Sequence, residues 1–212
     1  MKFWSDKIKD GGFISPLYAA GAIGTEGFAP DLNPPLAWDE VPQQTQSFVL
    51  ICHDPDAPSV KTDVNKTDRE VPAATPRSYF FHWVLVDLPA DLRQIGQGEF
   101  SDGFVVKGKP GPAALHNSRQ GLNDYTSWSA KDPAMAGSYF GYDGPYPPFN
   151  DSIPHRYIFT LYALAVPRLE VAGSFTGQQV LAELADLQSQ GKVLAVSSFT
   201  GLYTLNPRLA QP

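Results

Sequence analysis

Asp54, Asp56, His82, His155 and Tyr157 are the residues of this sequence whose types and placement can do chemistry. The two carboxylates lie in "DPDAP" (54–58), His82 in "YFFHWVLVDL" (79–88), and His155 and Tyr157 in "HRYIFTLYALAV" (155–166). Two imidazoles beside a carboxylate can donate charge-assisted hydrogen bonds to a phosphate or carboxylate, and free amides near Gly144 can add more. The carboxylate orients one ring and favours its protonated form. Side chains alternate along a strand, so His155, Tyr157 and Phe159 share one face and Arg156 and Ile158 the other, while His82 is expected to share a face with Phe80 and Val84. If the strands adjoin in one sheet, Asp54, His82 and His155 converge near strand ends on a small polar pocket.

Each residue also has a plainer reading. Asp before Pro starts turns, which accounts for Asp54 and Asp56 without a ligand. Arg156, facing away from His155, reads as an internal salt-bridge partner for Asp56. His53 and His116 read as satisfied structural histidines, and Phe81 and Trp83 as core. Two His and one Asp also form a ligand set for zinc or iron, yet neither HxH nor HExxH spacing is present, so no metal is expected. The sequence has no GxSxG elbow, and Cys52 sits in an apolar run where a thiol is inert.

The elements that must position these groups are legible as strands, loops and one helix. "SFVLIC" (47–52), 79–88 and 155–166 are apolar runs rich in strand formers. "GPYPPFNDSIPHRY" (144–157) precedes the third strand; Pro145, Pro147, Pro148 and Pro154 fix φ, and Gly144 permits a backbone approach that a Cβ would block. That loop reads as a rigid wall. "TGQQVLAELADLQSQG" places Val180, Leu181, Leu184 and Leu187 on one helical face, with Thr176 and Gln179 at capping-box spacing and Gly191 as the stop. The polar stretches 59–78 and 101–138 read as long surface loops, and loops of that length usually carry a task.

A chain of 212 residues reads as a single domain, 1–212. Its 20 prolines and 18 glycines point to many turns and a β-rich fold. The net charge of -6, with no basic cluster, argues against nucleic acid as a partner. With one cysteine there is no internal disulfide, and neither a signal peptide nor a membrane-spanning segment is evident, so a cytoplasmic protein without integral membrane association is expected.

"DPDAP", "FHWVLVDLP" (81–89) and "GYDGPYPPFNDSIPHRYIFTLYAL" (141–164), supported by "NPPLAWDEVP" (33–42) and "GLNDYTSW" (121–128), resemble the phosphatidylethanolamine-binding protein (PEBP) family, and most closely its bacterial Raf-kinase-inhibitor-like branch. The resemblance runs in order over roughly residues 33–205. It implies a mainly β fold: a β-sandwich of two antiparallel sheets with a C-terminal helix and long surface loops. It also implies a small anion pocket using Asp54, His82, His155 and Tyr157, with Pro58, Gly144 and Pro147 in or beside its wall and a cis bond at Ala57–Pro58.

The leading expectation is a non-enzymatic, regulatory binding protein that takes a phosphate, phosphoryl headgroup or carboxylate, without a cofactor. Two alternatives stay open. One is an interaction module that inhibits a kinase or serine protease through its loops; the other is a phosphoesterase or related hydrolase with a pocket histidine as general acid or base. A homodimer is an arrangement the resemblance also implies.

Overall fold

The computed structural model describes residues 1–24 and 27–210. Its strands, in chain order, are β1 (Lys2–Trp4), β2 (Gly12–Phe13), β3 (Leu36–Asp39), β4 (Ser47–Pro58), β5 (Arg77–Pro89), β6 (Gln94–Ile95), β7 (Arg119–Gln120), β8 (His155–Leu164) and β9 (Val193–Tyr203). Two α-helices, α1 (Tyr125–Trp128) and α2 (Gly177–Ser189), complete the set. The strands form a sheet ordered β1-β3-β6 and a larger one ordered β2-β9-β8-β4-β5-β7. Pairing is antiparallel except where the short β2 runs parallel to β9. Among the described residues no helix is long and apolar enough to cross a membrane.

The three strands expected from the sequence lie side by side as β8-β4-β5, at the centre of the large sheet. Phe3, Trp38 and Ile95 of the small sheet pack with Phe48, Leu50, Trp83 and Phe159 of the large one. Burying each such side chain contributes roughly 1.5–3 kcal/mol, so this layer holds the sheets together. The opposite face of the large sheet carries Val49, Ile51, Phe81, Val84 and Val86, covered by Val180, Leu184 and Leu187 of α2. At the start of that helix the Gln179 side chain accepts from the backbone N–H of Thr176 at 2.9 Å. At its end Gly191 takes φ +68°, the left-handed stop expected there.

Four expectations are corrected. "DPDAP" is not a turn: β4 continues through it with a register shift, and Ala57 and Pro58 still pair with Ser78 and Arg77. Extended pairing suits a trans bond before Pro58, and the cis peptide is Gly111–Pro112 instead. The 101–138 stretch is not only a surface loop, because Lys109, Gln120, Asn123 and Tyr125 within it are buried. Finally, β9 is a long strand that the three-strand reading omitted; its small residues and Gly201 dilute the alternation that marks a strand.

A fifth correction concerns parity in β5. Cys52 pairs with Trp83 and His53 with Phe81, which leaves His82 as an extra residue without a partner across the ladder. This bulge resets the alternation. His82 keeps the company of Phe80, with ring centroids 4.9 Å apart, whereas Val84 turns to the α2 face.

Candidate functional site

At one end of the large sheet lies a cavity of about 410 Å³. Asp54, Pro58, His82, Pro147, His155 and Tyr157 all line it, so three strands and the proline loop converge as parity suggested. Asp56 and Gly144 do not line it. Asp56 instead faces Arg156, whose guanidinium donates to both carboxylate oxygens, at 2.9 and 2.7 Å, while the Arg156 backbone N–H adds a further bond at 2.9 Å. Burial would raise the Asp56 pKa, but the Arg156 contacts outweigh it and hold the carboxyl below its usual range.

His155 sits between two carboxylates. Nδ1 lies 2.7 Å from Asp54 Oδ2 and Nε2 lies 3.0 Å from Asp151 Oδ2. Carboxylates accept and do not donate, so both ring nitrogens carry protons and the ring is an imidazolium. Burial opposes that charge, yet the bonds to Asp151 and Asp54 overcome it and hold the pKa at about 9. Asp151 is gripped in turn by Arg77 at 2.6 and 3.1 Å. The other Asp54 oxygen accepts from the Asp56 N–H at 2.6 Å. Asp54, Asp56 and Asp151 are thus matched by His155, Arg156 and Arg77, and the floor is close to neutral.

His82 is the opposite case. Its Nδ1 lies 2.8 Å from the carbonyl oxygen of Asp143, which can only accept, so the proton is on Nδ1 and Nε2 presents a lone pair. Burial pulls its pKa down to about 4, against the attraction of Asp54. Beside it, with ring centroids 5.1 Å apart, stands Tyr157. The Tyr157 hydroxyl is buried and, among the described residues, has no hydrogen-bond partner. A neutral imidazole acceptor and an unmatched phenol donor thus stand side by side in the lining of this pocket. The idea that both imidazoles donate to a ligand gives way here, because the N–H groups of His155 are committed to carboxylates.

Behind the pocket lies a buried cluster that sequence reasoning missed. Lys109 Nζ pairs with Asp143 Oδ1 and donates to the Tyr142 carbonyl at 2.8 Å, with Asp31 Oδ2 at 3.4 Å. Asn123 donates to the other Asp143 oxygen at 2.7 Å. Burial, then the nearby Asp143 charge, pushes the Asp31 carboxyl well above its usual range. Asp31 Oδ1 accepts from the Gly144 N–H at 2.7 Å, and Tyr125 donates to the Gly144 carbonyl at 2.8 Å. The amide at Gly144 is therefore not free for a ligand; a buried N–H finds a partner within the fold. A Cβ on Gly144 would overlap the Tyr18 carbonyl oxygen, which is the close approach its sequence position suggested.

The remaining histidines lie elsewhere. His53 stacks near Tyr79 and Phe81, at centroid distances of 4.8 and 6.0 Å, and His116 Nε2 lies 2.6 Å from Glu99. Cys52 is buried, and burial pushes its thiol well above the usual range. Among the described residues no group of three or more His, Cys, Asp or Glu is placed to hold a metal ion.

Comparison with known proteins agrees with the fold. A family model described as phosphatidylethanolamine-binding protein matches residues 4–204. The UPF0098 protein YbhB of Escherichia coli is 33% identical over 180 residues, covering 85% of this chain and 88% of that protein. A UPF0098 protein of Aquifex aeolicus is 28% identical over 203 residues, covering 96% and 88%. Among solved structures, Escherichia coli YbcL, described as a new member of the mammalian PEBP family, superposes with a TM-score of 0.65 at 25% identity over 96% of this chain and 97% of its own. A PEBP homolog of Chlamydia trachomatis superposes with a TM-score of 0.62 at 25% identity, over 95% of both chains. The match spans the strands and the loop that build the cavity, and the chain belongs to the phosphatidylethanolamine-binding protein family.

Proposed function

We propose that this protein is a non-enzymatic binding protein whose pocket takes the phosphate or carboxylate end of a small anionic molecule. The observation that carries the reading is the pair of unmatched groups on the pocket floor: the buried Tyr157 hydroxyl, with no partner, beside the neutral His82 ring with Nε2 uncommitted. A phosphate monoanion satisfies both, accepting from Tyr157 and donating its own P–OH to His82 Nε2. A dianion lacks that proton and has to gain one on binding. Affinity for a phosphomonoester therefore falls as pH rises through the ligand's second ionisation, near 6. The neutral balance of the floor supports an anion as well, since Asp54 is offset by the His155 imidazolium.

Both ring nitrogens of His155 are engaged by carboxylates, which leaves that residue no lone pair to act as a general base. Calorimetry with inorganic phosphate at pH 6 tests the reading. Saturable binding that weakens about tenfold to a hundredfold in Tyr157→Phe is expected, the loss of one hydrogen bond to a charged acceptor. Equal affinity in the two proteins would refute it.

A further inference from the structure

The cavity is larger than its polar floor needs. At about 410 Å³ it lies in the range of roughly 300–1,000 Å³ typical of sites that enclose a whole small organic molecule. Above the floor its walls become aromatic: Phe80, Trp128 and Tyr146 line it, with Pro147 beside them. Trp128 and Tyr146 are 42% and 46% exposed, unusual for side chains of their size in the wall of a concave site. Phe80 connects the two levels, 4.9 Å from the His82 ring and 6.4 Å from the Trp128 ring between centroids.

Lys61, from the 59–78 stretch, rests its ammonium 3.8 Å from the centroid of the Trp128 indole, which comes from the 101–138 stretch. The two long segments thus meet at the pocket mouth. Such a contact adds little to the stability of the fold, since an exposed cation on an indole contributes only about 0.5–1 kcal/mol. What the contact does is set a displaceable positive charge beside a flat apolar surface.

We infer that the outer half of the cavity, Phe80, Trp128 and Tyr146 with Lys61 at its edge, is a ring-stacking subsite, so that the ligand is a phosphate or carboxylate borne directly on an aromatic ring. The inference rests on the anion reading of the floor. The anionic group reaches Tyr157 and His82, the ring lies against the indole, and Lys61 leaves the indole to face the ligand's negative charge. A short saturated chain neither fills this space nor offers the offset stacking that aromatic pairs prefer.

The test compares phenyl phosphate, ethyl phosphate, benzoate and inorganic phosphate by calorimetry at pH 6, with the Trp128 indole N–H followed by NMR. Phenyl phosphate is expected to bind about tenfold tighter than ethyl phosphate, to shift the indole resonance, and to lose that preference in Trp128→Leu while inorganic phosphate affinity stays unchanged. Benzoate binding as tightly as phenyl phosphate identifies the carboxylate form of the ligand; much weaker benzoate identifies the phosphate form. Equal affinity for the phenyl and ethyl esters, with an unmoved indole and inorganic phosphate still bound, would overturn the ring subsite alone. If inorganic phosphate also fails to bind, the floor reading falls and this inference falls with it. The indole shift is read in the wild-type protein, so the answer does not depend on the variant folding.

Discussion

Two histidines of the same pocket are driven to opposite protonation states by what touches them. His155, clamped by Asp54 and Asp151, stays charged to about pH 9, and His82, buried against the Asp143 carbonyl, stays neutral down to about pH 4. Strand parity pointed to both residues but could not assign these roles, because two deciding partners, Asp143 and Asp151, lie outside the strands. Asp151 is in the loop four residues before His155, and Arg77, which holds it, is 74 residues away in sequence. Asp151→Asn is expected to lower the His155 pKa from about 9 and, by breaking a buried pair, to destabilise the fold by about 3–5 kcal/mol; NMR titration and urea unfolding read the two effects. Tyr157→Phe removes an unmatched buried hydroxyl, so it should leave stability unchanged or raise it by up to ~1 kcal/mol while weakening phosphate binding. A clear loss of stability in that variant would mean the hydroxyl has a structural partner.

At the scale of elements, the bulge in β5 is what aims His82 into the pocket, and no periodicity argument reveals where an extra residue will be inserted. The apolar strands and the amphipathic α2 were legible because each has a buried face with a regular period; β9, with Gly201 and several small residues, was not. The buried cluster of Lys109, Asp31 and Asp143 was hidden because a lysine in a polar stretch reads as solvated. It anchors the loop at Gly144. Gly144→Ala should cost about 1–3 kcal/mol through overlap with the Tyr18 carbonyl and should weaken phosphate binding, because Asp143 next to it holds the His82 ring. Leu184→Ala, on the far face of the sheet, should cost a comparable ~2–5 kcal/mol yet leave phosphate affinity intact in the folded fraction. Equal effects of the two on binding would show that the loop has no special link to the pocket.

For the whole molecule the two histidines predict a stability maximum near their shared unfolded pKa of about 6.5. His155 has a raised folded pKa, so its contribution, on the order of 3 kcal/mol, is full below about 6.5 and is lost as pH rises through about 9. His82 has a depressed folded pKa; its contribution is full above about 6.5 and is lost as pH falls through about 4. Chemical denaturation across pH 4 to 9 should trace both limbs, with the acid limb shallower in His82→Asn and the alkaline limb shallower in His155→Asn. A flat profile between them would contradict the assigned protonation states. The most direct test of the anion pocket is an NMR titration of the His82 and His155 ring nitrogens with and without inorganic phosphate. The account predicts that phosphate shifts His82 Nε2 and raises the His82 pKa, while His155 stays doubly protonated and hardly moves. A silent His82, or a His155 that responds in its place, would contradict it.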